Sequence, residues 1–352
     1  MIDHFQEEYI FYIITRDTDY CENLPYENVN SDAWNSINKN SQVFYFSKEK
    51  LSFRTIIKIT KSIDFDVVYI NGIYSMYFSL LPLIYFKYFT KKKLIVAARG
   101  MLSAQTFTSK GLKKNIFFKV CRNLGLYNKI NFHATNNEEA LSIRQTLNFK
   151  GNIILASNLP PRKNHDFQSS HKEPGNLHLI SIARISEEKN TLFAIGLLEK
   201  VKHLDITFDL YGTIYNQQYW KECHARISQL PANIKINYKG SIEKEKIVDT
   251  VKKYHFLLMP TTGENYGHSI VESFIAGRPV IISNRTPWLQ LQEKGIGWDL
   301  PLDKSEEFVK VIEFCAAMNQ QEYDQLSQAA FDFSQSIIND PSVIEANRFL
   351  FS

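Results

Sequence analysis

Along most of this chain, short apolar runs alternate with longer helical patterns, and the alternation breaks once and then restarts. Strand-helix-strand units of this kind close parallel sheets with helices on their faces. In the first half the runs are EYIFYIIT, QVFYF, DVVYI, KLIVAA, INFHA and NIILA. Their unbroken apolar character suits strands covered on both sides. The second series is HLISIA, DITFDLYG, IKINYKG, YHFLLMP and RPVIIS, each trailed by a helical pattern or a glycine turn. Between the two lies a polar stretch from Asn158 to Asn176 that carries Pro160, Pro161, Pro174 and Gly175 and has no periodicity, as a linker does. A chain of 352 residues, 44% of them hydrophobic, exceeds one core and suffices for two. The expectation is an α/β protein with domains at 1–158 and 177–335 joined by a linker over 159–176. Open parallel sheets bind ligands beyond the carboxyl ends of their strands, so a cleft between two such sheets is the expected site.

Several function classes drop out early. With 41 Lys plus Arg against 37 Asp plus Glu, the net charge of +4 is too small to argue for nucleic acid as a partner. Cys21, Cys121, Cys223 and Cys315 form no CxxC pair and have no histidine at zinc-finger spacing, which reads as a reducing, cytosolic setting. The start, MIDHFQEEYIFYIIT, is acidic ahead of its apolar run and lacks a basic leader, so it reads as a first strand. The stretch Gly72–Thr90 is apolar and aromatic but interrupted by Pro82 and Lys87, which points to a buried helix, short of the roughly 20 clean residues of a membrane span. No Walker A sequence, G-x-G-x-x-G or H-E-x-x-H is present, so triphosphatase, dehydrogenase and zinc-hydrolase readings lack their residues.

The densest signal runs from Pro260 to Val280, PTTGENYGHSIVESFIAGRPV, out of a strand, through a glycine turn and into a helix. Gly267 lets the backbone approach a ligand, and the free N–H groups of the new helix offer donors and a positive dipole end to a phosphate. Asn265, Tyr266 and His268 stand in the same turn. Glu272, about a turn and a half into the helix, is placed to accept both hydroxyls of a vicinal diol, as acidic residues do for ribose. A turn glycine or a helical glutamate alone is usually structural; their conjunction is rarer.

Glu264 and Glu272 stand at the spacing of the E-x7-E signature, and the segment resembles that of the retaining GT-B glycosyltransferases of family 4, with Pro260, Gly267 and Gly277-Arg-Pro-Val also matching. Arg184 and Lys189 in SIARISEEKN resemble the R-x4-K motif of that family. Tyr211-Gly212-Thr213 and Tyr238-Lys-Gly240-Ser-Ile242 resemble its next two strand-end turns, the second of which holds the nucleotide base. In the first half, Tyr69-Ile-Asn71-Gly72 and Ala98-Arg99-Gly100 match less closely, with Arg99 where many relatives carry histidine. Asn136-Asn-Glu138-Glu139 matches the helix start after His133-Ala-Thr135, and His133 reads as structural. The resemblance spans residues 66–350 and is strongest over 178–285.

It implies the GT-B fold, with two Rossmann-like domains whose parallel sheets face a central cleft, an N-terminal acceptor domain, a C-terminal nucleotide-sugar donor domain and a last helix, 336–352, crossing back onto the first. It implies transfer of a sugar with retention from a nucleoside-diphosphate sugar, UDP- or GDP-linked, to a glycan or polyprenyl-diphosphate-linked acceptor. The implied setting is capsule, O-antigen or exopolysaccharide assembly, in the cytoplasm or at the inner membrane face. Arg184 and Lys189 would stabilise the charge that builds on the departing diphosphate, Glu264 would orient the sugar, and Arg99, Gly100 and Asn71 would meet acceptor or phosphate. No cofactor and no metal are expected, since the two cations supply the charge. Asp17-Thr-Asp19 and Asp64-Phe-Asp66 read as incidental, the latter lying at the amino end of a strand. A sugar-nucleotide epimerase and an inactive nucleotide-sugar-binding subunit stand as alternatives. The cluster Lys91, Lys92, Lys93, Lys110, Lys113, Lys114, Lys119 and Arg122 reads equally as a solvated face or as a contact for anionic lipid.

Overall fold

The structure, a computed structural model, describes residues 1–18, 24–102, 111–162, 165–202 and 204–352, with the side chains of 111–115 left aside. Asp19, Cys21 and Lys110, and the side chains of Lys113 and Lys114, therefore lie outside the described residues. The chain divides into two compact units, residues 1–162 with 341–352, and residues 163–340.

Unit 1 contains strands β1 (Phe11–Arg16), β2 (Trp34–Asn38), β3 (Ser41–Phe46), β4 (Val67–Asn71), β5 (Lys93–Ala97), β6 (Asn131–Ala134) and β7 (Ile153–Leu155). Its helices are α1 (Ile2–Phe5), α2 (Phe53–Thr60), α3 (Leu81–Phe89), α4 (Gly111–Asn123) and α5 (Asn137–Leu147). β4, β5, β6 and β7 form a four-stranded parallel sheet in that order. β5 is buried from Leu94 to Ala97, as a continuous apolar run requires when helices cover both faces. Ile70, Val96, Phe132, Ile143 and Phe118 form its core.

The first half departs from the sequence expectation in two places. β1 and β3 pair in parallel, but β2 pairs antiparallel to β3, making a separate three-stranded sheet instead of one continuous parallel one. β2 reads WNSIN, mostly polar with Ile37 half exposed, so this edge strand gives no apolar run to detect. The Gly72–Thr90 stretch is not one buried helix. Ser75 caps a π-helical turn, Met76–Leu80, which passes into α3 with Pro82 in its first turn, where a missing N–H does no harm. Leu83 and Phe86 are buried, while Ile84, Tyr88 and Phe89 face water.

Unit 2 contains β8 (Asn176–Ile182), β9 (Asp205–Tyr211), β10 (Ile234–Gly240), β11 (Phe256–Met259), β12 (Val280–Ser283) and β13 (Gly297–Leu300). Its helices are α6 (Thr191–Glu199), α7 (Gln217–Ile227), α8 (Ile247–Val251), α9 (His268–Ile275), α10 (Ser305–Ala317) and α11 (Gln320–Ile338). The strands form one fully parallel sheet in the order β10-β9-β8-β11-β12-β13, in which β13 was not foreseen. Two apolar layers, one around Leu179, Phe208 and Phe308 and the other around Leu257, Val271 and Phe274, cover its faces. The segment ahead of β8 packs on this unit through buried Lys172, whose ammonium donates to the carbonyls of Glu173, Ala316 and Met318. Arg278, fully buried, donates to the carbonyls of Gly277, Gln168 and Lys252 and to the Ser327 hydroxyl.

The last helix, α12 (Pro341–Arg348), belongs to unit 1 again. Arg348 makes a two-pronged ion pair with Glu8, at 2.7 and 2.8 Å, and buried Leu350 packs beside Ile95 and Ile154. Among the described residues no helix is long and apolar enough to cross a membrane. Cys121, Cys223 and Cys315 are buried free thiols.

Candidate functional site

The strand order of unit 2 reverses between β8 and β11, so the loops that leave the carboxyl ends of these two neighbours, 183–190 and 260–267, diverge to opposite faces and leave a crevice. The Arg184/Lys189 and Glu264/Gly267 segments are these two loops. They are stitched together through backbone: the Glu188 carbonyl accepts from Thr262 N (2.9 Å), Thr262 Oγ1 (3.0 Å) and Thr261 Oγ1 (3.1 Å). Asn190, left-handed at φ +59°, donates its side-chain amide to the Pro260 carbonyl at 3.0 Å. On the far side, Glu264 N bonds to the Arg285 carbonyl at 3.0 Å and the Ser283 hydroxyl to the Thr261 carbonyl.

The charged side chains meet across this seam. The Lys189 ammonium is ion-paired with Glu264, both side chains being mostly buried, and lies 3.5 Å from Glu188. Arg184 is more open, 46% exposed, with one guanidinium nitrogen 3.5 Å from Glu188 and its plane 5.1 Å from the Tyr215 ring centre. Glu188 and Tyr215 had no part in the sequence reading of this site. The consecutive glutamates before Lys189 were the available signal, but nothing in the sequence says which one turns towards the cations.

Gly267 starts α9 at φ +76°, and a Cβ there would sit 2.7 Å from Ile270 Cδ1. No side chain caps this helix, so its N-terminal end stays open to a ligand. The turn ahead of it is held rigid by aromatic contact. The Trp288 indole donates to the Tyr266 carbonyl, and the Tyr266 ring lies 4.9 Å from His268 and 5.6 Å from Trp288. Burial pushes the Tyr266 phenol up to about 12. Glu272 is 7% exposed and has no hydrogen-bond partner among the described residues. Burial pushes its carboxyl up to about 7, with Lys244 pulling weakly the other way. A mostly buried carboxyl with no protein donor of its own gains from any donor that reaches it.

The remaining predicted turns line the same edge of the sheet. Gly212 follows β9 at φ +141°, and a Cβ there would fall 2.0 Å from the Ala183 carbonyl oxygen, so only glycine lets the β9 loop press against the Arg184 loop. Gly212 N bonds to the Gly240 carbonyl at 2.9 Å, and Tyr238 Oη donates to the Gly212 carbonyl at 2.9 Å. Gly240 is left-handed at φ +77° with open space where a Cβ would be, and half-buried Ile242 follows.

Arg99, Gly100 and Asn71 form a second cluster, in unit 1, at the carboxyl ends of β4 and β5. Arg99 holds φ +54°, a conformation that costs a non-glycine residue about 1–2 kcal/mol. Three hydrogen bonds fix it there, from Nε to Asn71 Oδ1 (2.8 Å), Nη1 to Asn158 Oδ1 (2.6 Å) and Nη2 to Tyr69 Oη (2.9 Å). Tyr69 Oη lies 2.6 Å from His133 Nδ1, and His133 Nε2 lies 2.7 Å from the Ala156 carbonyl. A carbonyl only accepts, so Nε2 carries the proton and Tyr69 donates to Nδ1. Burial lowers His133 to about 4 and keeps it neutral. Buried Glu139 accepts from Gly100 N, Thr135 N and Thr135 Oγ1. Asp66 lies just ahead of β4, at the edge opposite Asn71, and Asp64 is ion-paired with Lys92 at 3.7 Å.

Residues 162–332 match the sequence model of the family described as "Glycosyl transferases group 1". No curated protein matches the chain. Among solved structures the chain is similar to HepE from Anabaena, crystallised with UDP and glucose, at 17% identity and TM-score 0.66 over 88% of this chain and 84% of that one. It is similar to sucrose-phosphate synthase from Thermosynechococcus elongatus at 14% identity and TM-score 0.68, over 98% and 89%. WaaG, a glycosyltransferase involved in lipopolysaccharide biosynthesis, gives 10% identity and TM-score 0.64 over 90% and 88%. These likenesses show the fold, GT-B with two Rossmann-like units. The family match over the second unit supports a glycosyltransferase.

Proposed function

We propose that this chain transfers a sugar, with retention at the anomeric carbon, from a UDP- or GDP-sugar held on unit 2 to a hydroxyl of a glycan or polyprenyl-diphosphate-linked acceptor. One observation carries the reading. Two cations sit at the switch point of a parallel sheet beside an uncapped helix end, and a buried carboxyl with no partner of its own stands in the second turn of that helix.

Each part answers one need of such a donor. The diphosphate lies at the start of α9, within reach of the backbone of Gly267 and His268 and beside Arg184 and Lys189. Glu272 accepts the two ribose hydroxyls. Gly240 and Ile242 border the base, and Glu264 with Asn265 and Tyr266 orients the sugar. As the bond from C1 to the diphosphate breaks, its electron pair goes to the phosphate oxygen and C1 bonds the acceptor oxygen, whose proton passes to the leaving phosphate. Arg184 and Lys189 stabilise the charge that develops, more in the transition state than before it, and so do the work of a metal. Without donor, Glu264 neutralises Lys189, which keeps a mostly buried ammonium from standing alone.

In unit 1, Arg99, Asn71 and Gly100 meet acceptor or phosphate. The reaction belongs to bacterial surface-polysaccharide assembly in the cytoplasm, as the likeness to WaaG favours. The test is thermal stabilisation of purified protein by UDP, GDP, ADP and CMP and their sugar conjugates, with Lys189→Ala alongside. Stabilisation by one diphosphate, lost in the variant, names the base, and product NMR then reads the anomeric configuration. No stabilisation by any nucleotide refutes the reading.

A further inference from the structure

Charge is distributed unevenly over this chain. Unit 1 carries 22 Lys plus Arg against 14 Asp plus Glu, a net +8, while unit 2 carries 19 against 23, a net −4. The excess has one source: residues 67–137 contain 11 Lys and Arg and no Asp or Glu. A solvated face mixes its signs; a face of one sign attracts the other.

The same stretch turns apolar side chains to water. On α4 the outward positions four residues apart, Ile116, Val120 and Leu124 just past its end, are 61%, 49% and 69% exposed, while Phe118 and Cys121 on the opposite side are buried. On α3, Ile84, Tyr88 and Phe89 are exposed as well. Lys87 ties the two elements, its ammonium donating to the carbonyls of Gly125 (2.5 Å) and Leu126 (2.9 Å). Lys119 and Arg122 on α4, Lys129 beyond its end, and Lys91 and Lys92 just after α3 are exposed as well. Helix α4 thus carries apolar side chains on its exposed side as well as on its buried one, which water alone does not select.

We propose that this face of unit 1, centred on α4 and α3, docks onto an anionic lipid bilayer, the aliphatic side chains entering the interface and the flanking cations lying among the headgroups. Nucleic acid would satisfy the cations but leave Ile116, Val120 and Leu124 against phosphate. A bilayer of anionic lipid supplies hydrocarbon and negative charge in one surface. The inference does not depend on the sugar-transfer reading.

The test is flotation of the full-length protein with vesicles of phosphatidylcholine alone or mixed equally with phosphatidylglycerol. The wild type is expected to float with the mixed vesicles only, with binding that weakens as salt rises. Lys119→Ser with Arg122→Ser should lower partitioning about fivefold per charge removed. Val120→Glu with Leu124→Glu should abolish it even at low salt, while Lys235→Ser with Lys310→Ser, the same charge change on exposed positions of unit 2, should leave it intact. Equal binding to neutral vesicles, no binding to the mixed ones, or equal loss in the unit 2 variant would each overturn the proposal. Any nucleotide that stabilises the wild type should stabilise Val120→Glu with Leu124→Glu to the same extent. Loss of that response would mark the face as part of the fold or the donor site and overturn the docking assignment.

Discussion

Replacing Glu272 by glutamine should make the ligand-free protein more stable and its donor site worse. In the unfolded chain this carboxyl titrates at the ordinary 4.5, and in the fold burial raises it to about 7. Between those pH values the folded state holds a proton that the unfolded state has released, so stability falls as pH rises through the window. Above pH 7 the full penalty is present. A shift of this size at 1.36 kcal/mol per unit amounts to about 3 kcal/mol. Glutamine keeps the shape and never ionises, so Glu272→Gln should gain that amount at pH 8 and nothing near pH 4.5. For a unit of this length the gain is a rise in Tm of roughly 6–12 °C. The ribose reading adds a second signature, because an ionised carboxylate accepts from both hydroxyls and an amide oxygen is a weaker acceptor. Nucleotide affinity should drop about 10- to 100-fold in the variant, and in the wild type it should rise with pH up to about 7 and then level off. Differential scanning calorimetry across pH and titration calorimetry with the stabilising nucleotide measure both. Equal Tm for the two proteins at pH 8 would refute the burial argument. Unchanged nucleotide affinity would refute the ribose assignment.

Gly212→Ala forces a Cβ to within 2.0 Å of the Ala183 oxygen at a left-handed φ, so urea unfolding should show a loss of at least about 2 kcal/mol, together with loss of nucleotide binding because the Arg184 loop is displaced. Arg278→Ala strands the carbonyls of Gln168 and Lys252, and a cost on the order of 3 kcal/mol is expected in the same assay. Tyr69→Phe removes the link between Arg99 and His133; transfer should slow through a higher acceptor KM, with nucleotide stabilisation unchanged, and an altered nucleotide response would show that Arg99 does not act on the acceptor.

Much of unit 2 was legible in the order of its residues. Uninterrupted apolar runs such as YHFLLMP mark strands covered on both faces, and glycine at 212, 240 and 267 marks turns that need left-handed backbone or close approach. Glu264 and Glu272 stand out because spacing along a loop and helix is local information. β2 was illegible because an edge strand with one wet face and few apolar residues obeys no run or alternation. The outward apolar stripe of α4 was illegible for a related reason: periodicity shows that a helix has two faces and does not show which one the rest of the unit covers.

The sequence by itself therefore determined the elements that local patterns encode: two runs of α/β alternation, the turns between them and the residue types gathered in those turns. Tertiary structure alone decided the strand order β10-β9-β8-β11-β12-β13, and with it the fact that loops some 75 residues apart in the chain lie side by side, so that Lys189 pairs with Glu264. It also decided that Glu272 is mostly buried and that Arg99 is held by three hydrogen bonds. Burial and partnership are properties of what the chain packs against, and that is set by long-range contact, on which no local pattern reports.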